Sequence, residues 1–439
     1  MEMKTKWINL IRALIIVIIS VVVLIGLTNV LTLKSEDGIN QLQALYKQPE
    51  DSIDVLFLGS SHVYCDIATG VLWDNYGMAS FDLGGAEVPP WVSYYHLKEA
   101  LKTQKPKVVC YEISVSTIYP TLYQNDEWAV DNCYGMKWNK NRIDSLRLNS
   151  EGDDFYKRLI PLNIMHGRYN NLGENDFRNV RDSEKYKGFD PRENIVGEET
   201  PDISKVTDVV PCSEKAEENI RNIIRLTRDE GIDIVLFVSP YPVKEEEQKI
   251  CNYIEQIAIS ENVPFLNFNR SYDEIGIDFS EDFDGNTHVN YSGNYKYTDY
   301  LGRTLKDMYD IPDRRGDSRY VSWEWDKVIQ QNQRTDQEIR KCEKAEDILN
   351  LTQYGYITFA VIDGKGYIMD NNEIVASGDE GFRLTYESGD DVFLFYGWMD
   401  NNNSLYSVFI NDEEHIEFAG NILFVYDAIR HEYIRSIYF

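Results

Sequence analysis

Two stretches of this chain carry residue types suited to nucleophilic chemistry. The first is Gly59-Ser60-Ser61-His62, which follows Asp54 and the apolar run Val55-Leu56-Phe57-Leu58. Four apolar residues in a row read as a fully buried strand, and the turn after them presents a hydroxyl at the strand's C-terminal edge, where open α/β sheets place their chemistry. The second is Asp282-Phe283-Asp284-Gly285-Asn286-Thr287-His288-Val289-Asn290, far downstream. A serine hydroxyl is a weak nucleophile until a neighbouring base takes its proton, and the second stretch supplies a base and carboxylates to orient it. A serine after a strand more often just caps the next helix; the two stretches together point to a Ser-His-Asp hydrolase or acyltransferase.

The elements that must position these residues alternate in type. Strands are expected at 54–58, 79–83 (ending at Gly84-Gly85), 107–113, 232–238 and 264–268, and helices at 71–76, 90–101, 213–230, 245–261 and 293–305. Strands separated by helices of this length imply parallel pairing, hence a three-layer α/β domain over residues 52–312. Residues 116–209, rich in Tyr and Asn and carrying Trp128 and Trp138, break the rhythm. They read as an insertion over the strand ends, either shaping a substrate groove or packing a small core of its own.

At the N-terminus, Ala13–Leu33 is uncharged and long enough to cross a hydrocarbon core of about 30 Å as a helix. Lys4, Lys6 and Arg12 precede it, which places the N-terminus in the cytoplasm and the remainder outside a plasma membrane. A single-pass anchor over residues 1–34 is expected rather than a cleaved signal peptide, followed by a stalk over 35–51. Residues 313–350 read as a helical connector. Residues 351–439, with runs such as Tyr356–Val361 and Val392–Tyr396 between Gly, Asn and Asp turns, read as a small β-rich domain.

The net charge of −29 argues against nucleic acid as a partner, and its main effect is solubility. The six cysteines show no metal-ligand or CxxC spacing, and Cys110 lies inside an apolar run as a small core residue. No His/Asp/Glu cluster has ligand spacing either, so neither a metal nor another cofactor is expected.

On these residues the first domain resembles the SGNH (GDSL-like) hydrolase family. Gly59-Ser60-Ser61 stands where the family has Gly-Asp-Ser, which makes Ser61 the implied nucleophile. The family's base lies near the end of the fold, and His288, followed by Asn290 and Ser292-Gly293 before a helix, matches that block. The other histidines fit less well: His96 and His166 fall in helical or insertion segments, and His415 and His431 in the second domain. His62 adjoins the nucleophile and is expected to line the pocket or cap a turn.

The family's orienting Asp precedes its His by three residues, where this chain has Gly285. Asp284 is therefore the implied partner, with Asp282 as alternate and Gly285 absorbing the longer loop. The implied oxyanion donors are the Ser61 N–H and the Gly84-Gly85 pair. The family's third-block Asn is absent, because the third strand ends Tyr111-Glu112-Ile113-Ser114, and the Gly-x-Asn-Asp at 173–176 follows no strand.

With its anchor and missing Asn, the chain is similar to the exported SGNH-like proteins of bacterial polysaccharide O-acetylation and teichoic-acid D-alanylation. That resemblance implies a cell-surface serine acyltransferase or esterase acting on acyl, chiefly acetyl, groups of a polysaccharide, with a multi-spanning membrane acyltransferase as a candidate donor. The competing class is a non-catalytic glycan-binding or assembly component on the same scaffold. The closing stretch, Ala419–Asp427 with Ile434–Phe439, resembles the interleukin-like EMT inducer domain, also seen as a glycosyltransferase stem. Tyr396, Trp398 and Tyr406 could stack on sugar rings there, with packing in a β core the favoured reading.

Overall fold

The computed structural model describes residues 2–32, 37–120, 126–173, 176–177, 187–400 and 403–439. It divides into two compact units, Met1–Glu324 and Trp325–Phe439.

The first unit is built on five parallel strands: β1 Val55–Gly59, β2 Ser80–Gly84, β3 Val108–Glu112, β4 Asp233–Val238 and β5 Phe265–Asn267. They lie in the order β2-β1-β3-β4-β5, with β1 paired to both β2 and β3. Side chains alternate across a strand, and here both faces are covered, so β1, β3 and β4 read as largely apolar runs. Leu56, Leu58, Phe81, Val109, Tyr111 and Leu236 pack on one side with residues of the helices Pro90–Ala100, Glu214–Asp229 and Glu245–Glu261. Val55, Phe57, Val108, Cys110, Val235 and Phe237 pack on the other with Leu72 of the helix Thr69–Tyr76 and Tyr297, Leu301 and Leu305 of the helix Tyr291–Met308. This is the expected three-layer α/β arrangement with a parallel sheet. The order reverses direction at β1, so the crevice beyond the carboxyl ends of β1 and β3 is the switch point where such sheets hold ligands.

The N-terminal helix spans Glu2–Leu31, and its stretch Trp7–Leu31 is long and apolar enough to cross a membrane, as an anchor or a signal sequence would. Its large apolar side chains from Trp7 to Leu27 are exposed, and Leu31 is buried. The segment expected to be a stalk instead folds back as the helix Ile39–Leu45, which buries Ile39, Leu42, Ala44 and Leu45 in the sheet's core. Their apolar spacing at i, i+3, i+5 and i+6 gives that helix a face to bury. The insertion likewise contributes to the main core through Val130, Cys133, Tyr134, Met136 and Leu146. Trp138 stays exposed beside the Arg142 guanidinium.

The second unit is β-rich, with two antiparallel sheets. One runs β14-β13-β6-β7-β8 and the other β12-β11-β10-β9. Their strands are β6 Tyr356–Ile362, β7 Lys365–Asp370, β8 Glu373–Gly378, β9 Arg383–Ser388, β10 Asp391–Asp400, β11 Asn403–Ile410, β12 Glu413–Phe418, β13 Ile422–Asp427 and β14 Glu432–Tyr438. Phe359, Ile368 and Phe424 of the first sheet meet Phe393, Phe395 and Val408 of the second in one core. Tyr406 belongs to that core, buried and stacked on Phe382 and Phe418, so its ring is not available to a sugar. Trp398 and the half-buried Tyr396 remain at the surface, in an open trough with Arg383 and Glu417.

Candidate functional site

The backbone turns sharply where β1 ends. Ser60 caps the short helix Ser61–Tyr64, its Oγ accepting from the His62 N–H, while the Ser60 carbonyl accepts from the Val63 N–H. Ser60 is fully buried, and both its N–H (2.9 Å) and its hydroxyl (2.8 Å) donate to Oε2 of Glu112 at the end of β3. Ser60 is thus occupied as a structural brace. Ser61, the next residue, is half-buried at the start of the helix.

Gly84 lies level with Gly59 in the sheet, and a Cβ there would stand 2.5 Å from the Ser60 carbonyl oxygen, so this glycine lets the turn close against β2. Gly85 faces elsewhere: a Cβ on it would meet the Asn132 side chain and Gly38.

His288 sits on a tight loop closed by two backbone hydrogen bonds, Asp284 N–H to the His288 carbonyl and Asn290 N–H to the Asp282 carbonyl. Gly285 and Thr287 adopt left-handed φ values of 81° and 71°, which accommodates the extra residue. Asn290 caps the helix Tyr291–Met308 by accepting from the Ser292 and Gly293 N–H groups, and its amide donates back to the Glu281 carbonyl. The end of the insertion buttresses this loop. Arg192 bridges to Asn290, and the Val196 N–H donates to the Phe283 carbonyl. The Asp190 N–H donates to the Tyr64 carbonyl, so the same segment also supports the serine turn.

The two candidate carboxylates have different surroundings. Asp284 Oδ1 accepts from the backbone N–H of Asn286 (2.6 Å) and of His288 (3.2 Å), bracing the loop from within. Asp282 is fully buried, pairs with Lys296 at 2.7 Å and accepts from the Asp278 N–H. The carboxylate nearest the His288 ring in an ion pair is Asp66, whose Oδ1 lies 3.4 Å from Nδ1. Asp66 is fully buried one turn beyond His62, and its Oδ2 is 2.7 Å from His62 Nδ1. The two imidazoles pack at a centroid distance of 4.6 Å, with Tyr241 on His62 at 5.3 Å.

Burial alone would lower the His62 imidazole, but the Asp66 carboxylate, helped by Glu112 and Asp284, holds it above its ordinary value. Burial raises the Glu112 carboxyl against the opposing pull of His62 and of the two Ser60 hydrogen bonds. His96 is fully buried far from these groups in sequence, its Nε2 at 2.6 Å from the Asn132 carbonyl, and desolvation drives it down to about 4. No hydrogen bond joins the Ser61 hydroxyl to either imidazole among the described residues.

The chain matches no protein-family profile and no curated protein. Among solved structures it is similar to a protein described as lipolytic and of the G-D-S-L family from Desulfitobacterium hafniense DCB-2, at 10% identity and a TM-score of 0.30 over 57% of this chain and 98% of that one. It is similar also to a Bacteroides fragilis protein described as an acylhydrolase, at 10% identity and a TM-score of 0.31 over 61% of this chain and 94% of that one. A GDSL-like lipase from Bacteroides thetaiotaomicron matches at 11% identity and a TM-score of 0.29, over 58% and 88% of the two chains.

Sequence spacing gave no hint of ligand geometry, yet the fold assembles His62, Asp66 and His288 with potential ligand atoms within 4.8 Å of one another. Asp66 and Glu112 escaped the reading of the sequence. The one available signal was the i, i+4 spacing of His62 and Asp66 directly after a candidate nucleophile. Glu112 stands where the resemblance called for an Asn, and its position at a strand end was the cue. Of the Gly-x-Asn-Asp at 173–176, Asn175 lies outside the described residues; Asp176 pairs with Arg168.

Proposed function

We propose that this chain is a serine esterase or acyltransferase that takes O-acyl groups, chiefly acetyl, to or from a polysaccharide. The observation that carries the reading is the convergence, at the switch point of the sheet, of a serine-bearing turn with the His62–Asp66–His288 cluster.

In the proposed cycle the Ser61 hydroxyl attacks the acyl carbonyl while His288 takes its proton on Nε2. Asp66 faces Nδ1 at 3.4 Å; closing to hydrogen-bond distance once substrate is bound, it would fix the tautomer that leaves Nε2 free and stabilise the imidazolium. The oxyanion is received by the Ser61 N–H and the amides of the Gly84-Gly85 turn. Collapse expels the alcohol, to which His288 returns the proton, and leaves an ester on Ser61. Water then gives an esterase, and a sugar hydroxyl gives a transferase. Asp284 acts in this reading by shaping the loop that carries His288, a change from the role the resemblance implied for it.

The apolar helix Trp7–Leu31 supports a membrane-anchored protein with its site outside the cell, where a polysaccharide acceptor and a membrane-embedded acyl donor would both be at hand. The surface aromatics Tyr396 and Trp398 suit a carbohydrate in the second unit.

The test is pre-steady-state hydrolysis of p-nitrophenyl acetate by the full chain in detergent, with intact mass of the quenched protein. A burst with an acetyl adduct, both lost in Ser61→Ala and His288→Ala, is expected. A wild-type chain with neither burst nor adduct, when offered both this ester and acetylated polysaccharide, would overturn the reading in favour of a binding component.

A further inference from the structure

We infer that His62, Asp66 and His288 form a binding site for a divalent cation of the zinc class. Two of the atoms involved are buried without a hydrogen-bond partner among the described residues: Oδ1 of the fully buried Asp66, and Nδ1 of His288, which is 8% exposed. They face one another at 3.4 Å in a geometry that makes no hydrogen bond. A tetrahedral ion holding N and O ligands at 2.0–2.2 Å sets neighbouring ligand atoms about 3.3–3.6 Å apart, and the observed separation falls in that interval.

The third member is held in place by the same carboxylate. His62 Nδ1 lies 2.7 Å from Asp66 Oδ2, and its ligand atom is within 4.8 Å of the other two, which supplies the donors of a His2Asp set with water in the fourth position. Two imidazoles and one carboxylate suit zinc better than the hard cations calcium and magnesium, which take oxygen ligands.

A cation here and the serine chemistry would exclude each other. On His288 Nδ1 the ion replaces the Asp66 contact and draws charge from the ring, which removes the base that Ser61 needs. The inference does not rest on that chemistry, because binding is read by spectroscopy.

The experiment is titration of the full chain in detergent with Co2+, a visible stand-in for zinc, followed by competition with Zn2+ and with Mg2+. One equivalent of cobalt with the strong visible absorption of a four-coordinate site is expected. Zn2+ should displace it and Mg2+ should not. His288→Ala and Asp66→Asn should abolish the band, and His62→Gln should weaken binding about tenfold or more. Circular dichroism of each variant identifies any that fails to fold. The inference is overturned if the wild-type chain develops no such band, if the band persists unchanged in His288→Ala, or if a thiolate charge-transfer band shows that the cobalt sits on cysteine.

Discussion

The Asp66 carboxylate meets Nδ1 of His288 at 3.4 Å, and its other oxygen meets Nδ1 of His62 at 2.7 Å, whereas Asp284 binds the backbone of the loop that carries His288. One buried carboxylate therefore faces two imidazoles.

If Asp66 orients the base, Asp66→Asn keeps the volume but removes the charge and the tautomer control. The loss in kcat/KM for p-nitrophenyl acetate should be about 10³- to 10⁴-fold. Asp284→Asn removes two charge-assisted hydrogen bonds to backbone N–H groups and should act mainly on stability, by about 1–3 kcal/mol. Steady-state rates and thermal unfolding of both variants check this. Equal rate losses in the two would return Asp284 to the role of orienting residue.

Gly84→Ala should disturb the serine turn while keeping the Gly84 N–H that the proposed oxyanion site uses. Its Cβ would stand 2.5 Å from the Ser60 carbonyl oxygen and 3.1 Å from the Tyr64 ring, both held by the sheet and the short helix. Overpacking of this kind costs about 1–3 kcal/mol, and the displaced turn carries Ser61 with it. We expect a lower Tm and a drop in kcat larger than any change in KM. Gly276→Ala, with open space around its Cβ but a left-handed φ, serves as a stability control away from the turn.

Much of the architecture was legible. The apolar runs Val55–Leu58 and Val108–Tyr111 became the bodies of β1 and β3 because a strand covered on both faces is apolar at most positions. The helix expected at 245–261 occupies Glu245–Glu261, and Ser213 caps the helix it precedes. The segment before the sheet reads as a stalk because its buried face, Ile39, Gln41, Leu42, Ala44 and Leu45, is short and includes a polar residue. Asp66 was illegible as a partner of His288 for a different reason. Propensity and periodicity report on neighbours along the chain, and that contact is made only once β1 and the final loop are brought together.

Two histidines make opposite contributions to stability as pH changes. His62 is held above its ordinary value of 6.5, so its pairing with Asp66 stabilises the folded state fully below about pH 6.5 and is lost as pH rises through the folded value. His96 is pushed down to about 4 by burial, so the unfolded chain binds a proton that the folded chain refuses between pH 6.5 and 4. Stability therefore falls as pH drops through that window, by about 3 kcal/mol at 1.36 kcal/mol per unit. Urea unfolding of the first unit from pH 4.5 to 8.5 should show a maximum between the two effects. His62→Gln should flatten the alkaline side and His96→Gln the acidic side. Unchanged slopes in either variant would assign that side to other groups.

The second unit offers a comparison between two aromatic residues on adjacent antiparallel strands. Tyr406 is 4% exposed and packs between Phe382 and Phe418, so Tyr406→Ala should cost about 3–5 kcal/mol, as large core truncations do. Trp398 is 36% exposed in the open trough beside Tyr396 and Arg383, and its replacement by Ala leaves that core intact. Its thermal transition should move by less than the Tyr406 variant's, because little apolar surface is withdrawn from water there. If the trough takes a sugar ring, Trp398→Ala should weaken binding of a neutral polysaccharide in affinity electrophoresis, while Val392→Ala, exposed elsewhere on β10, should not. Retardation equal in wild type and Trp398→Ala would leave the trough without a role in glycan binding and place any carbohydrate contact of this chain at the serine site.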